Sequence, residues 1–185
     1  MPVLRIIGLL LAALWLTWAP PAQAQPARFD VWIDAVHDVA ASEAGCGSTE
    51  YFARVSFDGR NLVRTPLYSV STDGGTIGGV DFTPGGWIAP YATTIVGRFR
   101  VVTVRVALLE QDSGLCFGND QVDITPARGK TLQFTVYLGA DGFCSVRLVP
   151  GMFGARLPCG MPFTVRRVVG CSTCSGVTLR IFRLL

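Results

Sequence analysis

The stretch KTLQFTVYL, residues 130–138, alternates polar and apolar side chains along its length. Successive side chains of a strand point to opposite sides, so Leu132, Phe134, Val136 and Leu138 fall on one face. This pattern predicts a strand with one buried face. Similar runs are FDVWIDAV (29–36), EYFARVSF (50–57) and RFRVVTVRVALLE (98–110), and weaker strands are expected at 143–149, 162–169 and 177–184.

Turn signals separate these strands and complete the fold prediction. In FDVWIDAV we expect Phe29, Val31, Ile33 and Ala35 to share the buried face, and Asp58-Gly59 is a hairpin-turn dipeptide. Glycine and proline clusters punctuate the other connections, and no useful helical periodicity occurs after the N-terminal segment. Seven or more short strands of this kind predict an all-β fold, an antiparallel β-sandwich.

The N-terminal segment has the features of an export signal. Arg5 precedes an apolar run, a Pro-Pro pair and the small-residue pattern Ala22-Gln23-Ala24. This order is typical of a secretory signal peptide over residues 1–24, with cleavage before Gln25. Residues 25–185 are then expected to form a single secreted or periplasmic domain, without a second apolar run long enough to span a membrane.

Charge and cysteine content limit the classes of partner. Loss of Arg5 from the 16 basic residues leaves a net charge of +2 against 13 acidic residues, which does not favour a nucleic-acid partner. All six cysteines lie after the signal segment, and an even number in an exported chain predicts three disulfides. We interpret Cys171-Ser-Thr-Cys174 as structural, because no helix follows it to support a redox motif and no second ligand pair accompanies it to complete a zinc site.

The run EQDSGLCFGNDQVD, residues 110–123, concentrates negative charge. Its acidic residues are Glu110, Asp112, Asp120 and Asp123. Such a loop is either solvated, with Asp123 hydrogen-bonding to its own backbone, or neutralised by a cation. Calcium binds six to eight hard oxygen ligands, which spaced carboxylates can supply. Both alternatives remain open at this point.

Beyond these patterns, the sequence resembles C2 domains, in particular exported C2-like modules. The resemblance covers about residues 28–138 and rests on separated matches. They are Tyr51, Ala53, Arg54, Val55, Asp58, Gly59, Trp87, Val102 to Val106, Glu110, Asp112, Gly114, Asn119, Asp120, Asp123, Ile124, Thr125 and Pro126.

The resemblance implies a C2-like sandwich with calcium between two neighbouring loops. It assigns Glu110, Asp112 and Asp120 to the later loop, and Asp123 at the end of that loop is a further predicted metal ligand. It assigns Glu50 to the earlier loop, together with Asp38 or Glu43.

The resemblance also bears on the cysteines. It brings Cys46 and Cys116 into adjacent loops, so that this pair would clamp the metal site or would replace the metal as the cross-link. The remaining neighbours then pair as Cys144 with Cys159 and Cys171 with Cys174.

The sequence prediction for function is a secreted, non-enzymatic calcium-binding module that associates with an anionic lipid or cell-envelope surface. In this interpretation Phe117, Tyr51 and Phe52 either insert into that surface or belong to the core. His37 is the only histidine, and nothing in its surroundings predicts catalysis. The alternative is a metal-free, disulfide-stabilised domain that binds a protein or polysaccharide through a sheet face. Residues 143–185 either complete the sandwich or form a cysteine-stapled extension.

Overall fold

The computed structural model describes residues 23–40, 49–70, 79–112, 119–125, 131–148, 156–167 and 171–184. These residues form thirteen strands in two sheets and contain no helix. Most of the predicted signal peptide lies outside them. Within the described part of the chain, no helix has the length and apolar character needed to cross a membrane.

The smaller sheet has five strands and is built around the first one. Its order is β12-β13-β1-β5, and β6 pairs with the same edge of β1 as β5. All described pairings are antiparallel. The bounds are β1 Ala24–Ala40, β5 Gly79–Phe82, β6 Ile88–Val96, β12 Phe163–Arg166 and β13 Gly176–Leu184.

The larger sheet has eight strands in the order β11-β10-β9-β7-β2-β3, with β4 on β2 and β8 on β7. β8 and β9 follow one another along the same edge of β7. The bounds are β2 Thr49–Phe57, β3 Arg60–Arg64, β4 Tyr68–Val70, β7 Phe99–Asp112, β8 Asn119–Val122, β9 Leu132–Gly139, β10 Cys144–Leu148 and β11 Leu157–Pro158.

Residues from both sheets form one apolar core. The predicted inner positions of β9, from Leu132 to Leu138, are all buried, as are Val102, Val104, Val106 and Leu108 of β7. Aromatic rings connect the two sheets within this core, for example Phe57 stacked on Tyr91 with ring centroids 4.4 Å apart. The predicted all-β antiparallel sandwich is therefore confirmed.

Strand β1 departs from simple alternation. Its register with β13 shifts between Ile33 and Ala35, and its register with β5 shifts between Val36 and Val39. Each irregularity changes which residues face inward, so Val36 and Val39 are fully buried and Ala35 is not. The expectation that Ala35 shares the buried face of Phe29, Val31 and Ile33 is wrong because of the first shift.

The C-terminal region contributes strands to both sheets. β10 pairs with β9, while β13 pairs with β1 from Arg28 opposite Leu184 to His37 opposite Gly176. Leu179 and Ile181 of β13 are fully buried in the core. Disulfides join Cys144 to Cys159 and Cys171 to Cys174, with Cα–Cα distances of 5.4 and 5.5 Å. These are the two neighbouring pairs expected from the sequence; Cys46 and Cys116 lie outside the described residues.

The two ends of the sandwich differ. At one end, which we call the loop end, β1, β4 and β7 finish and β2, β5, β8 and β13 begin. Tyr51 and Phe82 stack there with centroids 5.2 Å apart and hold the two sheets together. The opposite end, which we call the hairpin end, carries the tight turns Asp58-Gly59 and Gly97-Arg98.

Candidate functional site

Half of the predicted acidic loop lies in two paired strands. β7 continues to Asp112, and β8 returns from Asn119, so only the middle of the segment 110–123 connects them. In this pairing Glu110 lies directly opposite Asp120, and Gln111 lies opposite Asn119. The structure thus brings Glu110 and Asp120 into opposed positions at the loop end, with Asp112 two residues further along β7.

Glu50 occupies a different position in the same sheet. It pairs with Gln111, whereas Tyr51 pairs with Glu110. Because side chains alternate across a strand, Glu50 lies on the opposite face of the sheet from Glu110. Its Oε1 accepts a 3.2 Å hydrogen bond from Ser69 Oγ. The structure therefore does not bring Glu50 together with Glu110.

Asp123 follows β8 and is bonded within its own loop. Its Oδ1 accepts a 3.3 Å hydrogen bond from the Thr125 backbone N–H, and its Oδ2 lies 3.8 Å from Arg167 Nε. The first contact is the local backbone bond that a solvated turn was expected to contain. The second contact places the guanidinium group of Arg167 beside this carboxylate, where it offsets part of the negative charge.

Asp38 is held by contacts from β12, from β5 and from the residue that precedes β13. Its carboxylate accepts a 3.0 Å hydrogen bond from Arg166 Nη1, and its backbone N–H donates to Asp81 Oδ1 at 2.7 Å. Ser175 Oγ donates to its carbonyl oxygen at 2.7 Å. The residue has φ of 45°, a conformation that aspartate tolerates better than most side chains. Asp38 is therefore part of an ion-paired network, and Glu43 lies outside the described residues.

His37 belongs to the same network. Its Nε2 is 2.7 Å from Thr178 Oγ1, and its Nδ1 is 3.6 Å from Asp81 Oδ2. Thr178 Oγ1 in turn lies 2.8 Å from Thr164 Oγ1. The hydrogen bond from the Asp38 N–H, helped by the charge of His37, holds the pKa of Asp81 below its usual value, although burial opposes this. The side chains tie β1, β5, β12 and β13 together at the loop end.

Sequence reasoning did not identify Asp81, Arg166 or Thr178 as neighbours of His37. Their contacts join residues that are far apart in the chain, such as His37 and Thr178, separated by 141 positions. No local pattern indicates such contacts, because they arise from the pairing of β1 with β5 and β13. These neighbours can be identified only from the register of β1 with β5 and β13.

The aromatic residues nominated for surface insertion are buried. Tyr51 is fully buried in the core, and Phe52, on the other face of β2, is 1% exposed. Arg64 covers the Phe52 ring with its guanidinium carbon 4.1 Å from the centroid. Tyr51 therefore belongs to the core, whereas Phe52 is buried beneath Arg64 on the outer face of the sheet. Phe117 lies outside the described residues.

A metal site is not complete within the described residues. They contain no group of three or more histidine, cysteine, aspartate or glutamate side chains arranged to hold a metal ion. Glu110 and Asp120 are opposed in the backbone register of β7 and β8, while Asp38 and Asp123 contact arginines. Calcium beside Glu110 and Asp120 would need further oxygen ligands, from Asp112, backbone carbonyls and water.

Comparison with solved structures gives matches of low sequence identity. A C2 domain of plant extended synaptotagmin 1 has a TM-score of 0.41 and 8% identity, covering 89% of this chain and 95% of that one. A second C2 domain has a TM-score of 0.35 and 9% identity, covering 86% and 99%. Human GIVD cytosolic phospholipase A2 has a TM-score of 0.38 and 8% identity over 87% of this chain and 18% of that one.

These likenesses are weak, and the antiparallel sandwich rests on the strand pairings of the two sheets. At such identities and TM-scores the likeness concerns the arrangement of strands and says nothing about ligands. No protein-family model matches the chain, and no curated protein matches it.

Proposed function

We propose that this protein is an exported, non-enzymatic binding module whose loop end binds calcium through Glu110, Asp112 and Asp120. In the calcium-bound state it associates with an anionic lipid or another anionic component of the cell envelope. The observation that supports the proposal is the register of β7 and β8, which sets Glu110 directly opposite Asp120.

The electrostatic argument starts from that register. Two like charges directly opposite each other weaken an antiparallel strand pair, whereas a divalent cation between or beside them removes the repulsion. Calcium tolerates irregular coordination and accepts carboxylate, carbonyl and water oxygens. The tip of a hairpin with carboxylates on both strands is a chemically suitable place for such an ion.

The proposed ligand set is smaller than the one expected from the sequence. Glu50 is left out because it projects from the other face of the sheet. Asp38 and Asp123 are left out because Arg166 and Arg167 already contact their carboxylates. A calcium ion at either position would have to displace a guanidinium group.

Export is supported by the chemistry of the cysteines. The two disulfides in the described residues are of a kind that persists in oxidising compartments outside the cytosol. Together with the signal sequence expected at residues 1–24, they favour a secreted or periplasmic location.

The mode of association follows from what the loop end exposes. Tyr51 is buried in the core, and Phe52 is covered by the guanidinium groups of Arg54 and Arg64, so neither ring is exposed for insertion. The bound ion itself would therefore make the contact, by sharing its remaining coordination positions with phosphate or carboxylate groups of the surface.

The test is thermal unfolding of the oxidised mature protein in excess calcium and in chelator. At a calcium concentration about a hundred times the dissociation constant, the stability should rise by about 2.7 kcal/mol, which corresponds to roughly 5–10 °C in Tm. The double variant Glu110→Gln, Asp120→Asn should lose this calcium-dependent increment. Glu50→Gln is the matched control, because it removes a nearby carboxylate from the opposite face, and it should keep the increment.

Co-sedimentation with vesicles tests the association itself. Calcium should increase binding to vesicles that contain anionic phospholipid, and the double variant should not respond. No calcium-dependent change in Tm for the wild type would reject the metal site. The metal-free interaction domain would then be the better description.

A further inference from the structure

The outer face of the eight-stranded sheet carries five arginines, which we call the arginine track. They are Arg54, Arg64, Arg105, Arg147 and Arg156. Arg54 is half-buried and the other four are exposed. The neighbouring residues Val55, Val104, Val106 and Val146 face the core.

The strand registers place these arginines in a diagonal line. Arg54 on β2 lies opposite Arg64 on β3 and, on its other side, opposite Ala107, which is two residues from Arg105 on β7. Arg105 pairs with Gln133 on β9. Arg54 and Arg105 are therefore diagonal neighbours across β2 and β7, and such neighbours are about 7–8 Å apart.

The line continues to the edge of the sheet. Arg147 on β10 pairs with Thr135, two residues along β9 from Gln133. Arg156 comes just before β11 and packs over the ring of Tyr137, with its guanidinium carbon 4.4 Å from the centroid. With strands about 4.8 Å apart, the track crosses the sheet over roughly 20–25 Å.

Carboxylates do not neutralise the track. Among the described residues, no acidic side chain forms an ion pair with any of the five arginines. Arg54 and Arg64 even occupy directly opposed positions, where like charges weaken the strand pair. An anionic ligand would offset this repulsion.

Neutral contacts hold several of the guanidinium groups in place. Arg64 donates from Nη2 to Gln111 Oε1 at 2.9 Å and also covers Phe52, while Arg105 donates from Nε to Gln133 Oε1 at 2.9 Å. These contacts leave further N–H groups of each guanidinium available to a ligand. Holding the side chains in one geometry reduces the entropy lost on binding.

The phenol of Tyr137 reports the positive charge of this region. Its pKa lies below the usual value, first because of a hydrogen bond with Thr135, and further because of Arg147 and Arg156. Desolvation acts in the opposite direction. The two arginines therefore favour negative charge at this part of the face.

We propose that the arginine track binds an acidic polysaccharide, a linear polymer with carboxylate or sulfate groups. A linear track matches a chain with regularly spaced anionic groups, and guanidinium groups bind such oxyanions in a bidentate manner. Thr103 and Gln133, on the same face between the arginines, offer hydrogen-bonding groups for sugar hydroxyls.

The position of the exposed apolar residues favours a polysaccharide over a membrane. Phe99 and Phe143, 64% and 49% exposed, lie at the hairpin end, and Leu62 lies on the outermost strand β3. A membrane-docking face would carry such side chains among its basic residues, where they could enter the bilayer. Here they lie beside the track rather than between its arginines.

The experiment measures binding of the mature protein to polygalacturonate, which carries carboxylates, and to heparin, which carries sulfates, with chelator present throughout. Neutral dextran is the ligand control. We expect binding to at least one acidic polymer, weakening as salt is added, and no binding to dextran. The double variant Arg105→Gln, Arg147→Gln should bind about tenfold more weakly.

A matched variant separates the track from general positive charge. Arg60→Gln, Arg98→Gln removes the same charge from the hairpin end and should retain nearly full affinity. Equal losses in the two double variants would overturn the proposal, as would the absence of binding to both acidic polymers. Binding in chelator to vesicles containing phosphatidylserine, but not to the polymers, would also overturn it. Single variants at Arg105 and Arg147, each expected to lose about threefold, keep the test valid if the double variant does not fold.

This site is separate from the proposed calcium site, and their tests are independent. Glu110→Gln, Asp120→Asn should leave polysaccharide binding in chelator unchanged. A failure of the calcium experiment therefore leaves the track proposal intact, and the reverse is also true.

Discussion

The backbone N–H of Asp38 donates a 2.7 Å hydrogen bond to Oδ1 of Asp81, joining β1 to β5 at the point where β1 departs from regular pairing. This bond favours the ionised form of Asp81 and lowers its pKa from the ordinary value of 3.8. Since the folded pKa is the lower one, the stabilisation is present above the unfolded pKa and is lost as pH falls through the folded pKa.

We therefore expect Asp81→Asn to destabilise the protein at pH 7 and to differ less from the wild type at about pH 2–3. The effect should stay below about 1 kcal/mol, because the carboxylate is exposed and solvent screens it. Urea denaturation of both proteins at the two pH values measures the difference. An equal difference in stability at the two pH values would show that ionisation of Asp81 does not stabilise the protein.

Asp58 should contribute both to a turn and to a bond across the sheet. It has φ of 49°, Gly59 has φ of 73°, and such a pair of positive values is typical of a type I′ hairpin turn. Its carboxylate also accepts from the Thr103 N–H at 2.8 Å and from Arg100 Nη2 at 2.6 Å.

Asp58→Ala should therefore cost about 2 kcal/mol, from the strained backbone and the lost hydrogen bonds. Asp58→Asn is the matched comparison, because asparagine tolerates positive φ and keeps an acceptor oxygen, and it should cost less than about 1 kcal/mol. Chemical denaturation gives both values. A similar cost for the two variants would mean that the charge, not the conformation, is decisive.

Two aromatic residues on β1 should differ sharply in their contribution to stability. Phe29 is fully buried and contacts Phe57 and Tyr91 edge-on, with centroids 5.8 and 5.6 Å away. Phe29→Ala should cost about 3–5 kcal/mol because it leaves a cavity between the sheets.

Trp32 lies on the opposite face, is 37% exposed and contacts Phe182 edge-on at 5.3 Å. Trp32→Ala opens no cavity between the sheets, so its cost should be well below that of Phe29→Ala. Thermal unfolding of both variants tests the orientation of β1. A larger loss for Trp32→Ala would show that the strand faces the other way.

The two described disulfides should stabilise the fold to different extents. Cys144 and Cys159 are separated by 15 residues, and Cys171 and Cys174 by 3. By the chain-entropy model, replacing the first pair with alanine should cost about 3 kcal/mol and the second about 1.5 kcal/mol.

Unfolding of the two double-alanine variants under oxidising conditions would measure this difference. The first disulfide also fixes the position of β11, because this strand pairs with β10 at only two positions, Ser145 with Pro158 and Val146 with Leu157. If the order of the two costs were reversed, the loop of Cys171 and Cys174 would be restraining the native loop end rather than the unfolded chain.

Local pattern predicted the strands that follow a regular period. The inner residues of β9 are predicted from alternation alone, because a strand with one buried face repeats every two residues. In β1 the same reasoning placed Ala35 inside, since a shift of register between Ile33 and Ala35 leaves no mark in the pattern of apolar residues. Irregularities depend on the partner strands and therefore require the structure.

The candidate sites show a similar division. The concentration of acids at 110–123 was visible, but the sequence treated it as one loop, and only the register of β7 and β8 pairs Glu110 with Asp120 and separates Glu50 from them. The near-neutral net charge concealed the arginine track, because acids elsewhere balance its charge. Five arginines on neighbouring strands form a pattern only when the registers of those strands are known.

The pairing of β13 with β1 has a consequence for how the chain matures. In the described residues one edge of β1 is completed by β13, which follows all the other described strands in the chain, so this edge stays open until β13 has been synthesised and delivered. An open strand edge is a template for pairing with other chains, and a nascent form of this protein would need protection from aggregation until β13 is in place. Removal of β13, Gly176–Leu184, would leave that edge permanently open.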